Sequence, residues 1–221
     1  MSVTTDDSSR DDLIHRRDDF IHRRAFVGLG AATLALIMPR HVRAQSSEQA
    51  GQIEDLNGQG FAEAGLARRA LAREAPVFIA DRVRTGEASR LTLQLGRRTR
   101  VRLGELARLT IDRYLVNAGG EISLESGPML FDRPRPNAKA PVQIRSTFGL
   151  IAVRGTRFFA GPSNNAFGVF VARGSVAVSA AGKSVVVRAG EGTDIAFPGA
   201  PPTPPKRWGE PRIRAALASV T

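Results

Sequence analysis

The sequence contains no cysteine, which excludes disulfides, thiolate nucleophiles, iron–sulfur clusters and Cys-based zinc sites together. Histidine is almost as scarce: His15, His22 and His41 are the only three, all within the first 44 residues. Aromatic residues make up 6% of the chain, with one Trp and one Tyr. None of them interleaves with the arginines of strands 90–102, where bases would need a stacking platform. Lysine is nearly missing too. Lys139, Lys183 and Lys206 are the only ones among 32 basic residues, so arginine carries the net charge of +11. The longest apolar run, residues 25–38, has 14 residues, short of the roughly 20 that a membrane-spanning helix needs. What remains, 221 residues that are 42% hydrophobic and 24% charged, suits one globular domain.

The first 44 residues read as an export address. The apolar run AFVGLGAATLALIM (25–38) has the length of a signal-peptide core, and Val42-Arg43-Ala44 supplies the small residues that precede a cleavage site. Cleavage is expected after Ala44. His22-Arg23-Arg24-Ala25-Phe26-Val27 resembles the twin-arginine export motif, with Arg23 and Arg24 as its pair. The near-duplication DDLIHRR (11–17) and DDFIHRR (18–24) reads as a lengthened leader. Removing residues 1–44 takes away seven Arg and six Asp, so 177 residues remain with a net charge of +10. The expected location is the periplasm, with no transmembrane helix after cleavage. The exported part then has neither Cys nor His, which weighs against acid–base catalysis at neutral pH.

From Gln52 onward the hydrophobic period is two, interrupted every eight to twelve residues by Gly, Pro or Asn. Leu91, Leu93 and Leu95 alternate with polar residues, as do Thr99, Val101 and Leu103 with Arg98, Arg100 and Arg102. The same spacing recurs at Leu109/Ile111, Ile122/Leu124, Val142/Ile144, Ile151/Val153, Phe167/Val169/Val171, Val176/Val178 and Val185/Val187. Alternation of this kind buries one face of each strand, and regular short strands predict a sandwich, a barrel or a solenoid. Residues 61–74 are ambiguous, since their Ala, Leu, Arg and Glu content favours helix by propensity. Between Phe197 and Lys206 five prolines mark the start of an extended arm over 198–221, and residues 210–220 have the composition of a short closing helix with Pro211 in its first turn.

The stretch VQIRSTFGLIAVRGTRF (142–158), followed by GVFVARGSVAV (168–178) and AGEG (189–192), resembles the FecR domain, with DRVRTGEASRLTLQLG (81–96) similar to its opening strands. The likeness covers about residues 51–197. It implies an all-β fold, a twisted solenoid-like stack of short strands, and tips 61–74 toward strand and turn. It also implies an envelope location and a link to iron-type signal transduction toward a sigma-factor regulator. The best-known members of that family add a cytoplasmic anti-sigma region, one membrane span and a further periplasmic subdomain. Here the flanking segments read as a leader and a Pro-rich arm, so the resemblance is carried over for fold and compartment.

Two groups of arginines are candidate binding residues. Arg154 and Arg157 flank Gly155-Thr156, where Gly155 is expected to take a positive-φ turn and Thr156 to tie it by its hydroxyl. Their expected partners are backbone carbonyls or a carboxylate such as Asp112 or Glu125. Arg98, Arg100 and Arg102 alternate along one strand, and with Arg82, Arg84, Arg90 and Arg108 on neighbouring strands they would form a basic panel. The plainer reading of each group is a structural corner and a solvated face.

No catalytic residue, metal ligand or cofactor is assigned. Lys183-Ser184 falls in what reads as a hairpin turn, where adjacent residues point to opposite faces, and Glu191 reads as support for a turn. The domain is therefore expected to be a non-enzymatic periplasmic binding or signalling-partner module. Its partner would be an envelope protein or an anionic polysaccharide or lipid, reached through the arginines or a free sheet edge; nucleic acid is disfavoured. A carbohydrate-active module is the alternative. If Gly155 does occupy a left-handed turn, Gly155→Val costs about 1–3 kcal/mol of stability. Thermal melting checks this, and an unchanged transition would remove the turn assignment.

Overall fold

A computed structural model of the chain describes residues 48–115, 119–134, 142–153 and 155–221. The leader with Arg23, Arg24 and Ala44, and also Arg154, lie outside the described residues. The first half contains β1 (Gln49–Asn57), β2 (Gly60–Ala64), β3 (Ala67–Ala70), β4 (Pro76–Phe78), β5 (Arg82–Thr85), β6 (Arg90–Leu95), β7 (Thr99–Leu103), β8 (Arg108–Leu115) and β9 (Gly119–Ser126). The second half contains β10 (Met129–Asp132), β11 (Val142–Ser146), β12 (Gly149–Val153), β13 (Arg157–Ser163), β14 (Ala166–Arg173) and β15 (Ser175–Ala180). It ends with β16 (Lys183–Arg188), β17 (Glu191–Ile195), β18 (Lys206–Arg207) and one helix, α1 (Glu210–Ala218).

These strands make two nine-stranded sheets. The first has the order β4-β1-β6-β7-β10-β13-β14-β17-β18 and the second β3-β2-β5-β8-β9-β11-β12-β15-β16. Apart from the two inversions at the start, both orders follow the chain. The backbone lays down one strand or a hairpin in one sheet, then crosses to the other, and both sheets grow in step. Neighbouring strands are antiparallel except β9 and β11, which run parallel. Both sheets keep two edges, so neither closes into a barrel.

The period of two dictates what fills the space between them. Leu91, Leu93, Leu95, Val101 and Leu103 of the first sheet and Leu109, Ile111, Ile122, Val142 and Ile144 of the second belong to one contiguous buried core. Within residues 61–74 the chain forms the β2–β3 hairpin, which ends at Ala70, and then a turn. Pairing of β2 with β5 buries Ala62, and tertiary pairing overrides the helical propensity of Ala, Leu and Glu.

Three central strands break the alternation. In β10, β13 and β14, Phe131, Phe158 and Val169 point into the shared core, while Leu130, Phe159 and Phe170 on the opposite face are also buried. That outer apolar patch is covered by residues 198–221, which fold back across the first sheet instead of extending away from it. Trp208, Ala216 and Val220 complete its cluster, with Ile213 and Leu217 packed alongside. The Trp208 ring lies 5.3 Å from that of Phe170 and is capped from outside by the Arg212 guanidinium, 3.6 Å above it. Arg212 in turn forms a bidentate pair with Asp194 (2.5 and 3.1 Å) and donates to the Ser163 hydroxyl at 2.9 Å. Thr203 ties the approach, its carbonyl accepting from Thr193 Oγ1 at 2.6 Å and its hydroxyl from the Asp194 N–H at 3.0 Å.

The ring can lie flat only because β17 carries a glycine beneath it. A Cβ on Gly192 would fall 2.2 Å from Trp208 Nε1 and 2.4 Å from Cε2. Gly192→Ala is expected to displace the ring and cost about 2 kcal/mol. Because Trp208 is the only tryptophan, a red shift of intrinsic fluorescence with an earlier urea midpoint reads the effect directly. Wild-type emission and midpoint would show that the cover does not depend on this contact.

Candidate interaction surface

Outside the apolar patch, the outer face of the first sheet carries a row of charges set by strand register. Arg100 of β7 is opposite Asp132 of β10, Asp132 is opposite Arg157 of β13, and Arg157 is opposite Arg173 of β14. Two like charges directly opposite one another destabilise a sheet, and Asp132 answers that problem. It accepts from Arg173 Nη2 at 2.7 Å and stands 3.9 Å from Arg157 Nε. At the other end Glu54 of β1 reaches Arg100 through two hydrogen bonds of 2.6 Å. That hydrogen-bonded pairing raises the Arg100 pKa; partial desolvation opposes it, and the charges of Glu54 and Asp132 add to it. The guanidinium therefore stays charged throughout the accessible pH range.

The sequence-derived arginines are only partly brought together. Arg100 and Arg157 flank Asp132 in one row. Arg102 sits one level away, opposite Leu130 and Thr92, beside a cavity of about 450 Å³ that Arg90, Arg100 and Asp55 also line. Arg98 lies in the exposed turn before β7 rather than on the strand. The wider panel is divided between opposite sides of the protein. Arg90 shares the first sheet, whereas Arg82, Arg84 and Arg108 belong to strands of the second. Alternation along a strand separates inside from outside, but strands that follow one another in the chain cross between sheets.

The corner at 154–157 also differs in detail from its sequence reading. Gly155 has φ of 63°, the left-handed conformation that glycine adopts without strain. Thr156, however, is fully buried and its hydroxyl has no partner among the described residues. Arg157 faces Asp132 instead of Asp112 or Glu125. Asp112 accepts from the Ser123 hydroxyl and Glu125 binds Arg82. Asp132 and Glu54 were not among the candidate residues. The only sequence signal for Asp132 is a carboxylate ending the apolar run Met129-Leu130-Phe131.

The second sheet shows the same chemistry on its outer face. Arg84 Nη1 donates to Glu63 at 2.8 Å, and Arg145 pairs with Glu121. Glu125 accepts from Thr110 Oγ1 at 2.7 Å and from Arg82 Nε at 2.9 Å. Partial burial pushes the Glu125 pKa up, but those two hydrogen bonds and the charges of Arg82 and Arg108 outweigh it, and the net shift is downward. Between the sheets, at the ends of the β11–β12 and β13–β14 hairpins, a cavity of about 570 Å³ is lined by Leu124, Glu125, Pro162 and the stacked rings of Phe148 and Phe167, 4.6 Å apart. Its one carboxylate is already engaged by Arg82 and Thr110. Among the described residues no group of three or more His, Asp or Glu is placed to hold a metal ion, and no helix is long and apolar enough to cross a membrane.

Residues 81–177 match the family model described as FecR protein. They run from Asp81, just before β5, into β15, and contain Arg100, Asp132, Arg157 and Arg173, while Glu54, β16 and the C-terminal cover lie outside. No curated protein matches the chain. Two crystal structures of a candidate anti-sigma factor from Parabacteroides distasonis ATCC 8503, at 1.65 and 2.50 Å resolution, share the fold. Each has a TM-score of 0.52 and 15% sequence identity, over 62% of this chain and 64% or 63% of that one. The chain spans less than two thirds of the length of those structures.

A depressed carboxylate pKa stabilises the folded state above its unfolded value and loses that contribution as pH falls through the folded one. Glu125 is partly exposed, so Glu125→Gln is expected to cost only a few tenths of a kcal/mol at pH 7. The gap from wild type should close on acidification below the ordinary glutamate range. Urea midpoints of both proteins between neutral and acidic pH measure it; a gap that persists into acid would mean that the carboxylate charge is not what stabilises.

Proposed function

We propose, for a chain carrying a FecR domain over residues 81–177, an exported non-enzymatic module that binds a protein partner in the periplasm as part of envelope signalling. Residues 1–44 are its export address, of twin-arginine type. The stepwise advance of both sheets is read as a solenoid-like winding, which makes each sheet nine strands wide. The kinship in fold with a candidate anti-sigma factor supports a place in sigma-factor regulation rather than in metabolism.

The observation that carries this reading is the row Glu54, Arg100, Asp132, Arg157 and Arg173. From Glu54 to Arg157 its carboxylates and arginines alternate at spacing set by strand register, and Arg173, next to Arg157, reaches back to the same Asp132. A surface for lipopolysaccharide or lipid headgroups would present uncompensated cations, whereas an alternating row is complementary to another protein's alternating row and sets register and partner choice. The absence of Cys and His from residues 45–221 supports a binding role over catalysis.

The test is capture of cell-envelope components on the immobilised chain, in wild type and in Asp132→Arg, across a salt titration. A discrete protein retained through about 200 mM salt, and lost on the charge reversal, is the expected result. Retention of anionic glycan or lipid alone, released steeply between about 50 and 200 mM salt and indifferent to residue 132, would overturn the reading.

A further inference from the structure

The two sheets end in four edges, and three of them are blunted. Edge β4 is three residues long; its Pro76 carbonyl accepts from Arg69 Nη1 at 2.8 Å and its Phe78 N–H donates to buried Asp81 at 2.8 Å. Edge β18 is two residues long and runs at once into Trp208. Edge β3 has four residues, two of them arginines, and Arg69 folds from it across the end of the sheets to pair with Asp81. Short strands, proline, charge and side-chain caps are the means by which proteins prevent unwanted pairing at sheet edges.

Edge β16 has none of these along its centre. It runs for six residues, Lys-Ser-Val-Val-Val-Arg, without proline, and Val186 is 50% exposed. The Ala181-Gly182 turn before it has positive φ at both residues (48° and 72°), the two-residue hairpin of the I′ type. That turn makes Ala180 and Lys183 a hydrogen-bonded pair, so Lys183, Val185 and Val187 bond to β15 while Ser184, Val186 and Arg188 turn their backbone groups outward. The Arg188 N–H confirms the phase, since it leaves the ladder and donates to Glu191 Oε2 at 2.9 Å. No hydrogen bond from a described residue reaches the outward backbone of Ser184 or Val186.

We infer that β16 is a strand-addition site, on which an extended acidic segment of a second protein pairs with Ser184 and Val186 and continues the second sheet. This rests on the protein-partner reading above and names a binding mode for it. Charge selects the occupant. Lys183 and Arg188 stand at the two ends of the strand, and the carboxylate beside them, Glu191, is committed to the Arg188 N–H. A second copy pairing through its own β16 would bring another Lys183 and Arg188 to the contact, while a strand with acidic ends and β-branched centre meets both cations and covers Val186.

The full chain is titrated with a fluorescent heptapeptide, Glu-Thr-Val-Thr-Val-Thr-Glu, read by anisotropy, beside the same peptide with lysine at both ends. Val186→Pro removes an outward N–H without breaking the β15 ladder, and Val186→Asp leaves the backbone intact and adds a repelling charge; Trp208 emission verifies folding of each. The acidic peptide should bind, the lysine peptide at least about tenfold more weakly, and both variants should lose about tenfold or more for the acidic one. Equal binding of the two peptides, or variants that bind like wild type, would overturn the inference. So would a wild-type dimer, seen by sedimentation, that Val186→Pro dissolves, because the occupant would then be a second copy. If envelope capture in the preceding experiment depends on Asp132 but not on Val186, the signalling reading stands and the strand-addition site falls.

Discussion

The structure depends on one constraint, that two sheets laid down in step must bury a single shared core. Every strand therefore has a fixed inner face, and a slip of one residue in register would expose Leu91, Leu93 and Leu95 and bury the charges between them. The outward residues escape this constraint. They are free to carry the ion pairs of both outer faces, and register, not local chemistry, decides which charges meet.

The central strands of the first sheet are the exception that organises the rest. Leu130, Phe159 and Phe170 make its outer face apolar, which in isolation would be an exposed patch of the kind that drives association. The C-terminal segment resolves this with one aromatic ring, one helix and one buried-side ion pair. Trp208 fills the depression over Gly192, and Arg212 both stacks on the ring and pairs with Asp194. The cover also sets the limits of the polar surface: on one side of it runs the Glu54-to-Arg173 row, and at the far end of the other sheet lies β16.

Much of the fold is legible in the sequence because a period of two is a local signal. Leu109/Ile111, Ile122/Leu124 and Val176/Val178 are buried as their alternation predicts, and the hairpin within 61–74 follows from the family resemblance where propensity is undecided. The charged row is legible only in part. Alternation places Arg82 and Arg100 outside, but says nothing about which sheet each occupies, and the split of the panel follows from crossovers that no short window contains. Asp132 and Glu54 carry no local signal because their partners lie in strands distant in sequence, Arg157 being 25 residues from Asp132 and Arg100 46 residues from Glu54. Met129-Leu130-Phe131 and Phe158-Phe159 lack alternation for a physical reason, since both of their faces are buried.

Amide hydrogen exchange resolved by residue on the free, full chain tests the central claim most directly, namely that two shared-core sheets end in one edge left open for a partner. The account predicts slow exchange at Val185 and Val187, which bond to β15, and at Phe159 and Phe170 beneath the C-terminal cover. Ser184 and Val186, between those protected positions, should exchange near the unstructured rate. Protection of Ser184 and Val186 equal to that of their neighbours would contradict it, because the edge would then already be occupied.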